Sequence, residues 1–285
     1  MTEHSARRPL AFLEIVSLGL LVAMHSACLL VCVVPFSTTA VLLGLCGYLV
    51  RMWAITAGYH RYFSHRSYRT SRAFQLILAI LGASAMQNGP IWWASWHRRH
   101  HQYTDQPRDP HSPKLAGFWY AHMGWILNPA STNPDLSNVR DLTRFPELRL
   151  VDKYKWAPIV TYAVGCYALA GASGLVWSFA VSTILVLHAT ALINSLGHAW
   201  GTRRYATRDT SRNNALLAVI TLGEGWHNNH HHAMHLARQG RVWWELDPTY
   251  YGLRVLAWLR LVWSLREPRD KPILKVPHAA PIPSR

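Results

Sequence analysis

The chain has 285 residues, of which 50% are hydrophobic and 15% are charged, and its formal net charge is +15. These values fit one large soluble domain or a protein with several membrane spans, and the lengths of the apolar segments decide between the two. The positive charge does not indicate a nucleic-acid-binding protein, because the Arg residues flank apolar segments, where they fix topology and attract anionic lipid headgroups.

Four apolar segments are long enough to cross about 30 Å of hydrocarbon as helices. They are residues 11–34, 37–58, 156–175 and 176–199. Among Asp, Glu, Lys and Arg, the first contains only Glu14, the second contains only Arg51, and the last two contain none. Gly171, Ser173 and Gly174 predict a tight turn between the last two segments. The sequence therefore predicts an all-α integral membrane protein with four transmembrane helices in two hairpins.

Basic residues beside these segments predict their orientation, since Lys and Arg favour cytoplasmic loops. Arg7 and Arg8 precede the first segment, whereas the connection around Pro35 carries no charge. Further Arg residues follow the second and fourth segments: Arg61, Arg66, Arg69, Arg72, Arg203, Arg204, Arg208 and Arg212. Both termini are therefore expected to be cytoplasmic. A cleaved signal peptide is the alternative for the first segment, but that segment exceeds the usual signal core and lacks a clear cleavage site.

The remaining chain predicts helices at the membrane surface and two tails. Residues 71–95 are apolar with polar interruptions, and we expect a helix that lies on or dips into the cytoplasmic leaflet. Asp247 and Pro248 predict an N-cap and first turn, followed by an amphipathic surface helix to about Leu265. We expect a cytoplasmic tail over 1–10, one membrane domain over 11–266 and a disordered proline-rich tail over 267–285.

Two triplets of histidines have the i, i+3, i+4 spacing that places side chains on one face of a helix. They are His97, His100 and His101 in the sequence WHRRHH, and His227, His230 and His231 in GWHNNHH. We expect the two triplets to form two walls of one metal site.

Three further histidines and one asparagine are candidates for the same site. His60 and His65 are five residues apart, or about 140° on a regular α-helix, so both point inward only if the helix ends there or they serve different metals. Asn194 and His198 have i, i+4 spacing at the cytoplasmic end of the fourth span, where polar groups are costly and tend to be functional. The alternative for Asn194 is a single hydrogen bond between helices.

Other polar residues near these motifs have weaker signals. Asp105, Asp109 and His111 lie in a proline-rich loop, where they either orient ligand histidines or serve ordinary turn chemistry. His122 is an isolated histidine in an aromatic segment, which favours packing and hydrogen bonding. His232 and His235 do not repeat the ligand spacing, and we expect them to lie outside the site.

The candidate ligands number nine of the 17 histidines in the chain. One ion cannot use nine imidazoles, whereas two ions with four or five each can, and neutral imidazole suits iron, zinc, copper or nickel. Zinc prefers about four ligands in a closed tetrahedral site. Redox-active iron fits so many nitrogen ligands better, and the membrane setting indicates oxidation of a lipid by oxygen.

These motifs together resemble a known family. HRYFSH, HRRHH and HNNHH, with NSLGH before the last, resemble the histidine boxes and the asparagine-histidine element of the integral-membrane fatty acid desaturases. The segments GFWYAHMGW and GEGWHNNHH extend the resemblance over about residues 44–266, in the order of the stearoyl-CoA (Δ9) desaturase-like branch, bacterial type.

The resemblance implies a four-helix membrane bundle with a cytoplasmic helical cap that holds a diiron site. The nine histidines carry over as iron ligands, Asn194 acts through a water, and no catalytic residue is implied beyond the metal ligands. Which histidine serves which iron stays open. The implied reaction uses O2 and two electrons to place a cis double bond, at Δ9, in a saturated acyl chain carried by CoA or by a membrane lipid.

One departure from the family concerns the carrier of the acyl chain. Animal members of the branch have an Arg-Asp pair just before the second histidine box that contacts the CoA headgroup, whereas this chain has Ser95 and Trp96. Some bacterial and plastid-type relatives act on acyl chains esterified in membrane lipids, and this chain is similar to them here. No His-Pro-Gly-Gly haem signature occurs, so a separate ferredoxin or cytochrome with its reductase is the expected electron donor, docked on a basic face.

Two other functions use similar motifs. A histidine-box hydroxylase of lipids, sterols or alkanes would hold the same irons, but the GEGWHNNHH and NSLGH elements argue against it. A metal transporter or sensor would need polar ligands along a path across the bilayer. The candidate ligands instead gather at the cytoplasmic ends of the predicted spans.

Overall fold

A computed structural model describes residues 12–268, apart from the side chains of residues 12–14 and 17. The predicted tail over 1–10, with Arg7 and Arg8, lies outside the described residues, and so does all but the start of the predicted tail over 267–285. Both predictions therefore remain predictions.

The fold is built from helices. The described residues form thirteen α-helices: α1 Phe12–Cys28, α2 Thr38–Trp53, α3 Arg72–Ala83, α4 Pro90–Tyr103, α5 Pro113–Ala116, α6 Phe118–His122, α7 Arg140–Thr143, α8 Pro146–Lys153, α9 Trp156–Ser173, α10 Ser182–Ser195, α11 Ala215–Ile220, α12 His227–His232 and α13 Pro248–Trp258. Short 3-10 turns lie at Leu29–Cys32, Gly124–Leu127, Pro129–Ser131, Leu136–Val139 and Leu196–His198. The predicted helical fold is confirmed at this level.

Two features depart from regular α-helix. The chain widens into π-helix after α2, over Ala54–Ser64, and after α9, over Gly174–Val181. Two short strands, β1 Arg69–Thr70 and β2 Val262–Trp263, pair antiparallel, with Arg69 opposite Trp263. The prediction of an all-α fold therefore missed this small sheet.

Two helical runs have the length and composition of membrane spans. Thr38–Ser64 has a mean hydropathy of 1.6 and Trp156–His198 one of 1.9. The second run bends at Ala170 and Gly171, where Gly171 has φ 57°, which glycine adopts without strain. This bend lies at the predicted turn. Leu18–Cys32 is a shorter apolar helix, and the arrangement of four spans remains a prediction.

Arg51, the only charged residue of the second predicted span, joins α2 to α10. Its side chain is 1% exposed, and its guanidinium donates to Thr183 Oγ1 at 2.7 Å and to Ser182 Oγ at 2.5 Å. The same group lies 4.2 Å from the centre of the Tyr162 ring. These contacts replace water around the buried cation, as a polar group between apolar helices requires.

The structure corrects two predicted helices. Residues 71–95 form two helices, because Met86 and Asn88 have positive φ and Pro90 begins α4. The helix expected to reach Leu265 ends at Trp258, after which the chain returns through β2 to β1. The N-cap prediction is confirmed, since the Asp247 carboxylate accepts from the backbone N–H of Tyr250.

Candidate metal centre

The nine candidate histidines lie in two groups. The five-histidine group contains His60, His65, His97, His101 and His230, and the four-histidine group contains His100, His198, His227 and His231. Within each group, one ring nitrogen of every member lies within 4.8 Å of the others. The spacing in the sequence did not predict which of the nine histidines lie together, and the structure places them in these two groups.

Each histidine triplet contributes to both groups. On α4, His97 and His101 join the five-histidine group, whereas His100 joins the other. Residues four apart on an α-helix differ by about 40°, while the residue at i+3 lies about 60° to the other side of the first. His97 and His101 can therefore bring their Nε2 atoms within 3.0 Å, and His100 points elsewhere. Both triplets thus line the two adjacent groups, which is consistent with the expected site for two ions.

The π-helix over Ala54–Ser64 brings His60 and His65 to the same group. In a π-helix the hydrogen bond runs from residue i+5 to i, which places residues five apart on one face. The backbone N–H of His65 donates to the carbonyl of His60 at 3.2 Å, and the two ring centres are 4.8 Å apart. The helix ends at Ser64, directly before His65, as one of the two expected alternatives required, and both rings lie in the five-histidine group.

Carboxylates contact the Nδ1 atoms of three of the nine rings. The pairs are His60 Nδ1 with Glu224 at 2.5 Å, His100 Nδ1 with Asp109 at 2.9 Å, and His231 Nδ1 with Asp209 at 2.9 Å. A carboxylate on the second nitrogen fixes the ring orientation and leaves the other nitrogen free to bind a metal. Sequence analysis found Asp109 but missed Glu224, which precedes the third histidine box, and Asp209, which no local pattern marks.

The proline-rich loop contacts the site through all three of its predicted residues. Asp109 binds His100, and Asp105 accepts from the backbone N–H and hydroxyl of Thr210 at 2.7 and 2.8 Å. The Thr210 hydroxyl lies 3.3 Å from His198 Nδ1. His111 stacks on His100 with ring centres 4.3 Å apart. The orienting hypothesis for this loop is therefore supported by a direct contact of Asp109 with His100 and by a contact of Asp105 with His198 through Thr210.

The two asparagines of HNNHH are fully buried and hold the loops around the site. Asn228 Oδ1 accepts from the backbone N–H groups of Arg204 and Tyr205, both at 2.8 Å. Asn229 Nδ2 donates to Glu245 at 2.9 Å. These bonds fix the loop that carries Asp209 against α12, and sequence analysis assigned them no role.

A buried ion pair links the first histidine box to the chain beyond the third. Arg61 is 1% exposed and lies 2.9 Å from Glu224 and 3.0 Å from Asp247. Asp247 therefore caps α13 and neutralises Arg61 at once. Glu224 also contacts His60. Residues from three separate segments of the chain therefore fix the position of the His60 ring.

Burial favours the neutral form of four of the clustered imidazoles. It lowers the pKa of His97, His101, His227 and His230 well below the ordinary histidine value, and neighbouring histidines lower it further. Burial alone would raise the pKa of Asp109, but the His100 ring outweighs it and the pKa falls. Neutral imidazoles beside ionised carboxylates are the protonation states that metal binding requires.

The donor set fits metal ions. Facing Nε2 atoms lie 2.8 to 3.1 Å apart, for example in the pair His65 and His97 and in the pair His60 and His230. The buried His231 Nε2 has no hydrogen-bond partner. Nitrogens that converge without donors or acceptors between them are satisfied when a cation lies at the centre, and neutral imidazole suits redox-active first-row metals.

Two adjacent cavities reach the histidine groups. The aromatic cavity, about 170 Å³, is lined by Trp92, Trp93, Trp96, Trp125 and Trp156, by Leu20, Leu21, Met123, Leu187 and Ala191, and by Asn88, Lys155, His97, His111, Thr190 and Asn194 among others. The inner cavity is lined by Met52, Ile55, Ile193, Asn194 and histidines of both groups, including His60, His97, His100 and His227. Asn194 thus lies where both cavities meet the histidines.

The other predicted positions lie outside the two groups. His122 bonds to Ser195 and His188, as expected for a histidine satisfied by hydrogen bonds. His232 stacks on Tyr205 with ring centres 3.9 Å apart, and His235 is exposed. Trp96, at the position of the family departure, packs with Trp125 in the wall of the aromatic cavity.

Comparisons with known proteins identify the family of the chain. A family model described as fatty acid desaturase matches residues 33–260. The chain is 38% identical over 263 residues to Delta-9 acyl-lipid desaturase 1 of Arabidopsis thaliana, covering 90% of this chain and 85% of that protein. It is 41% identical over 226 residues to Delta-9 acyl-lipid desaturase 2 of the same plant (78% and 73%) and 36% identical over 232 residues to Acyl-CoA C20 Delta5-desaturase of Anemone leveillei (80% and 73%). The chain therefore belongs to the fatty acid desaturase family, and its activity is that of an oxidoreductase acting on fatty acyl chains.

Proposed function

We propose that the chain places a cis Δ9 double bond in saturated acyl chains by O2-dependent chemistry at two iron ions. The observation that carries this proposal is the pair of histidine groups, with five and four imidazoles, at the wall of an apolar cavity. When bound, the irons supply the redox chemistry by which O2, two electrons and two protons take up two hydrogen atoms from neighbouring methylenes and form water.

The residues of the chain bind and orient the ions and the substrate. One ion binds to the five-histidine group and the other to the four-histidine group, which Asn194 supplements through a water. Glu224, Asp109 and Asp209 hold ligand rings in the required tautomer. The cavities exclude water and hold one pair of methylenes near the histidines, because successive methylenes of an acyl chain have nearly the same reactivity.

The acyl chain is proposed to be carried by a membrane lipid. Ser95 and Trp96 replace the Arg-Asp pair that the CoA-dependent animal branch uses, and the Trp96 ring lines the aromatic cavity. The two Arabidopsis relatives are named as acyl-lipid desaturases, whereas the Anemone relative is named for acyl-CoA. The identity to the Arabidopsis proteins favours the lipid.

The candidate spans and the family indicate a membrane protein. We propose four spans, with both termini and the metal centre on the cytoplasmic side, because Arg residues flank the ends that would lie there. The membrane domain is proposed to cover residues 11–266. Electrons would come from a separate ferredoxin or cytochrome with its reductase, which an acidic surface would guide to the basic cytoplasmic face.

A fatty-acid profile tests this function. A bacterial host would express the wild type or His230→Ala together with a supplied reductase system, and mass spectrometry would fix double-bond positions in each lipid class. We expect a Δ9 monoene in membrane lipids with the wild type only. A hydroxy acid in place of the monoene would contradict desaturation, and a monoene confined to the acyl-CoA pool would contradict the lipid carrier.

A further inference from the structure

Three histidines outside the two groups form a hydrogen-bonded chain across three helices. His25 Nε2 on α1 lies 2.9 Å from His188 Nε2 on α10, and His188 Nδ1 lies 2.9 Å from His122 Nε2 on α6. At its ends, His25 Nδ1 lies 2.7 Å from the carbonyl of Leu21 and His122 Nδ1 lies 3.0 Å from Ser195 Oγ. We call these three residues the histidine chain.

The Leu21 carbonyl fixes the direction of every bond in the histidine chain. A carbonyl only accepts, so His25 donates through Nδ1 and a neutral His25 accepts at Nε2. His188 then donates through Nε2 and accepts at Nδ1 from His122. The Ser195 hydroxyl lies 3.0 Å from His122 Nδ1 and donates to the Ala191 carbonyl at 3.1 Å. The three bonds that run from the Leu21 carbonyl to His122 are satisfied when all three rings are neutral.

This geometry differs from that of the metal-binding groups. His188 faces His25 and His122 with opposite ring nitrogens, so the nitrogens of the three rings point along a line and do not converge. Among the residues that the structure describes, the three form no cluster like the two histidine groups. The arrangement fits a tie between helices better than a third metal site.

Residues beside the histidine chain line the aromatic cavity. They are Leu21, whose carbonyl accepts from His25, and Met123, Leu187 and Asn194, which are the sequence neighbours of His122, His188 and Ser195. The tie therefore holds α1 and the segment after α6 against α10, and those are three of the elements that form the cavity wall.

We propose that the histidine chain is a positioning element that sets which pair of methylenes reaches the metal centre. This inference rests on the proposed function, because the acyl chain must lie in the aromatic cavity. Loss of the tie lets α1 and residues 123–127 move away from α10, which widens the cavity and lets the acyl chain slide. A misplacement of about 1 Å costs about 10²-fold in rate, and a pocket distinguishes one methylene by about 10- to 200-fold.

The test compares double-bond positions among variants of the histidine chain. His188→Leu removes both central bonds, and His25→Phe removes one end. His188→Gln keeps an acceptor for His122 and a donor for His25. His235→Phe is the matched control, because His235 is exposed and lies outside the cavity. Metal content and thermal unfolding would be measured in the same purified samples.

We expect the wild type and His235→Phe to form one positional isomer. His188→Leu should raise the share of isomers displaced by one methylene about tenfold, His25→Phe should raise it less, and His188→Gln should restore the wild-type ratio. The double variant His25→Phe, His188→Leu should match His188→Leu alone, because the bond to His25 is already lost.

Two results would overturn the inference while leaving the proposed function intact. The first is an unchanged isomer ratio in both His25→Phe and His188→Leu beside an active wild type. The second is the loss of a third metal ion per chain on His188→Leu, which would make the histidine chain a metal site. A wild type that forms no monoene would instead contradict the proposed function and, with it, this inference.

Discussion

The two histidine groups differ in the number of histidines and in the number of carboxylates that contact their rings. The five-histidine group has one carboxylate contact, from Glu224 to His60, whereas the four-histidine group has two, from Asp109 and Asp209. The first group would hold an ion with five ring nitrogens, and the second with four and the water proposed on Asn194. The second group therefore depends more on carboxylates for the orientation of its rings.

The largest effects are expected from removing one ligand of each group. His230→Ala and His100→Ala should each abolish activity, with loss of about 10³-fold or more, since one missing ligand misplaces the ion and the substrate geometry. Membrane insertion should persist, because the ligands lie at the ends of the predicted spans. Product formation and iron content of the purified proteins measure this. An active His230→Ala protein would remove that residue from the site.

Carboxylate removal should distinguish the groups. Asp209→Asn should weaken metal binding by the four-histidine group about 10- to 100-fold and leave the five-histidine group occupied. Glu224→Gln should do the reverse, with added destabilisation because Arg61 loses one of its two carboxylates. Metal content after graded chelation would be compared with Asp135→Asn, whose carboxylate only caps a short turn. Loss of both ions in equal measure from Asp209→Asn would contradict the separation of the groups.

Asn194 is proposed to supplement the four-histidine group through a water. Asn194→Ala should lower turnover about tenfold and shift the spectrum of one iron, while the metal content stays near that of the wild type. Spectra that match the wild type, with unchanged turnover, would remove Asn194 from the site.

Acid should destabilise the metal-free protein through its buried neutral imidazoles. Burial lowers the pKa of His111 to about 3. Below pH about 6.5 the unfolded chain binds a proton that the folded chain does not, so stability is full above that pH and falls as the pH drops toward 3. Thermal unfolding of chelated protein between pH 7.5 and 5 measures this fall, which His111→Phe should make shallower. A slope that His111→Phe leaves unchanged would show that this ring does not contribute.

The smallest effect is expected from histidines outside both groups. His235→Ala should keep activity and iron within about twofold of the wild type, because an exposed side chain without buried partners contributes little. Iron content and product formation of the purified variant measure this. An inactive, iron-free His235→Ala protein would show that the ligand set is larger than nine.

Sequence spacing predicted the candidate ligands better than their arrangement. The i, i+3, i+4 triplets and the His60 and His65 pair depend on local geometry, so the residues could be found from the sequence. The partition depends on how α4 and α12 are rotated about their axes, and His60 and His65 depend on a π-helix that no local signal marked. Both are set by packing across the fold.

Contacts between residues far apart in sequence were not predicted, because they too are set by packing across the fold. Glu224 and His60 are 164 positions apart, and their contact belongs to a network that also includes Arg61 and Asp247. The break between α3 and α4 was missed because it rests on positive φ at Met86 and Asn88, which an apolar pattern does not reveal. The N-cap at Asp247 was found because its signal is local.

The most direct test of the central claim is a map of the iron-loaded protein with anomalous scattering at the iron edge. We expect two iron peaks per chain, one bound by His60, His65, His97, His101 and His230, and the other by His100, His198, His227 and His231. A single peak, or an iron whose ligands come from both groups, would contradict it.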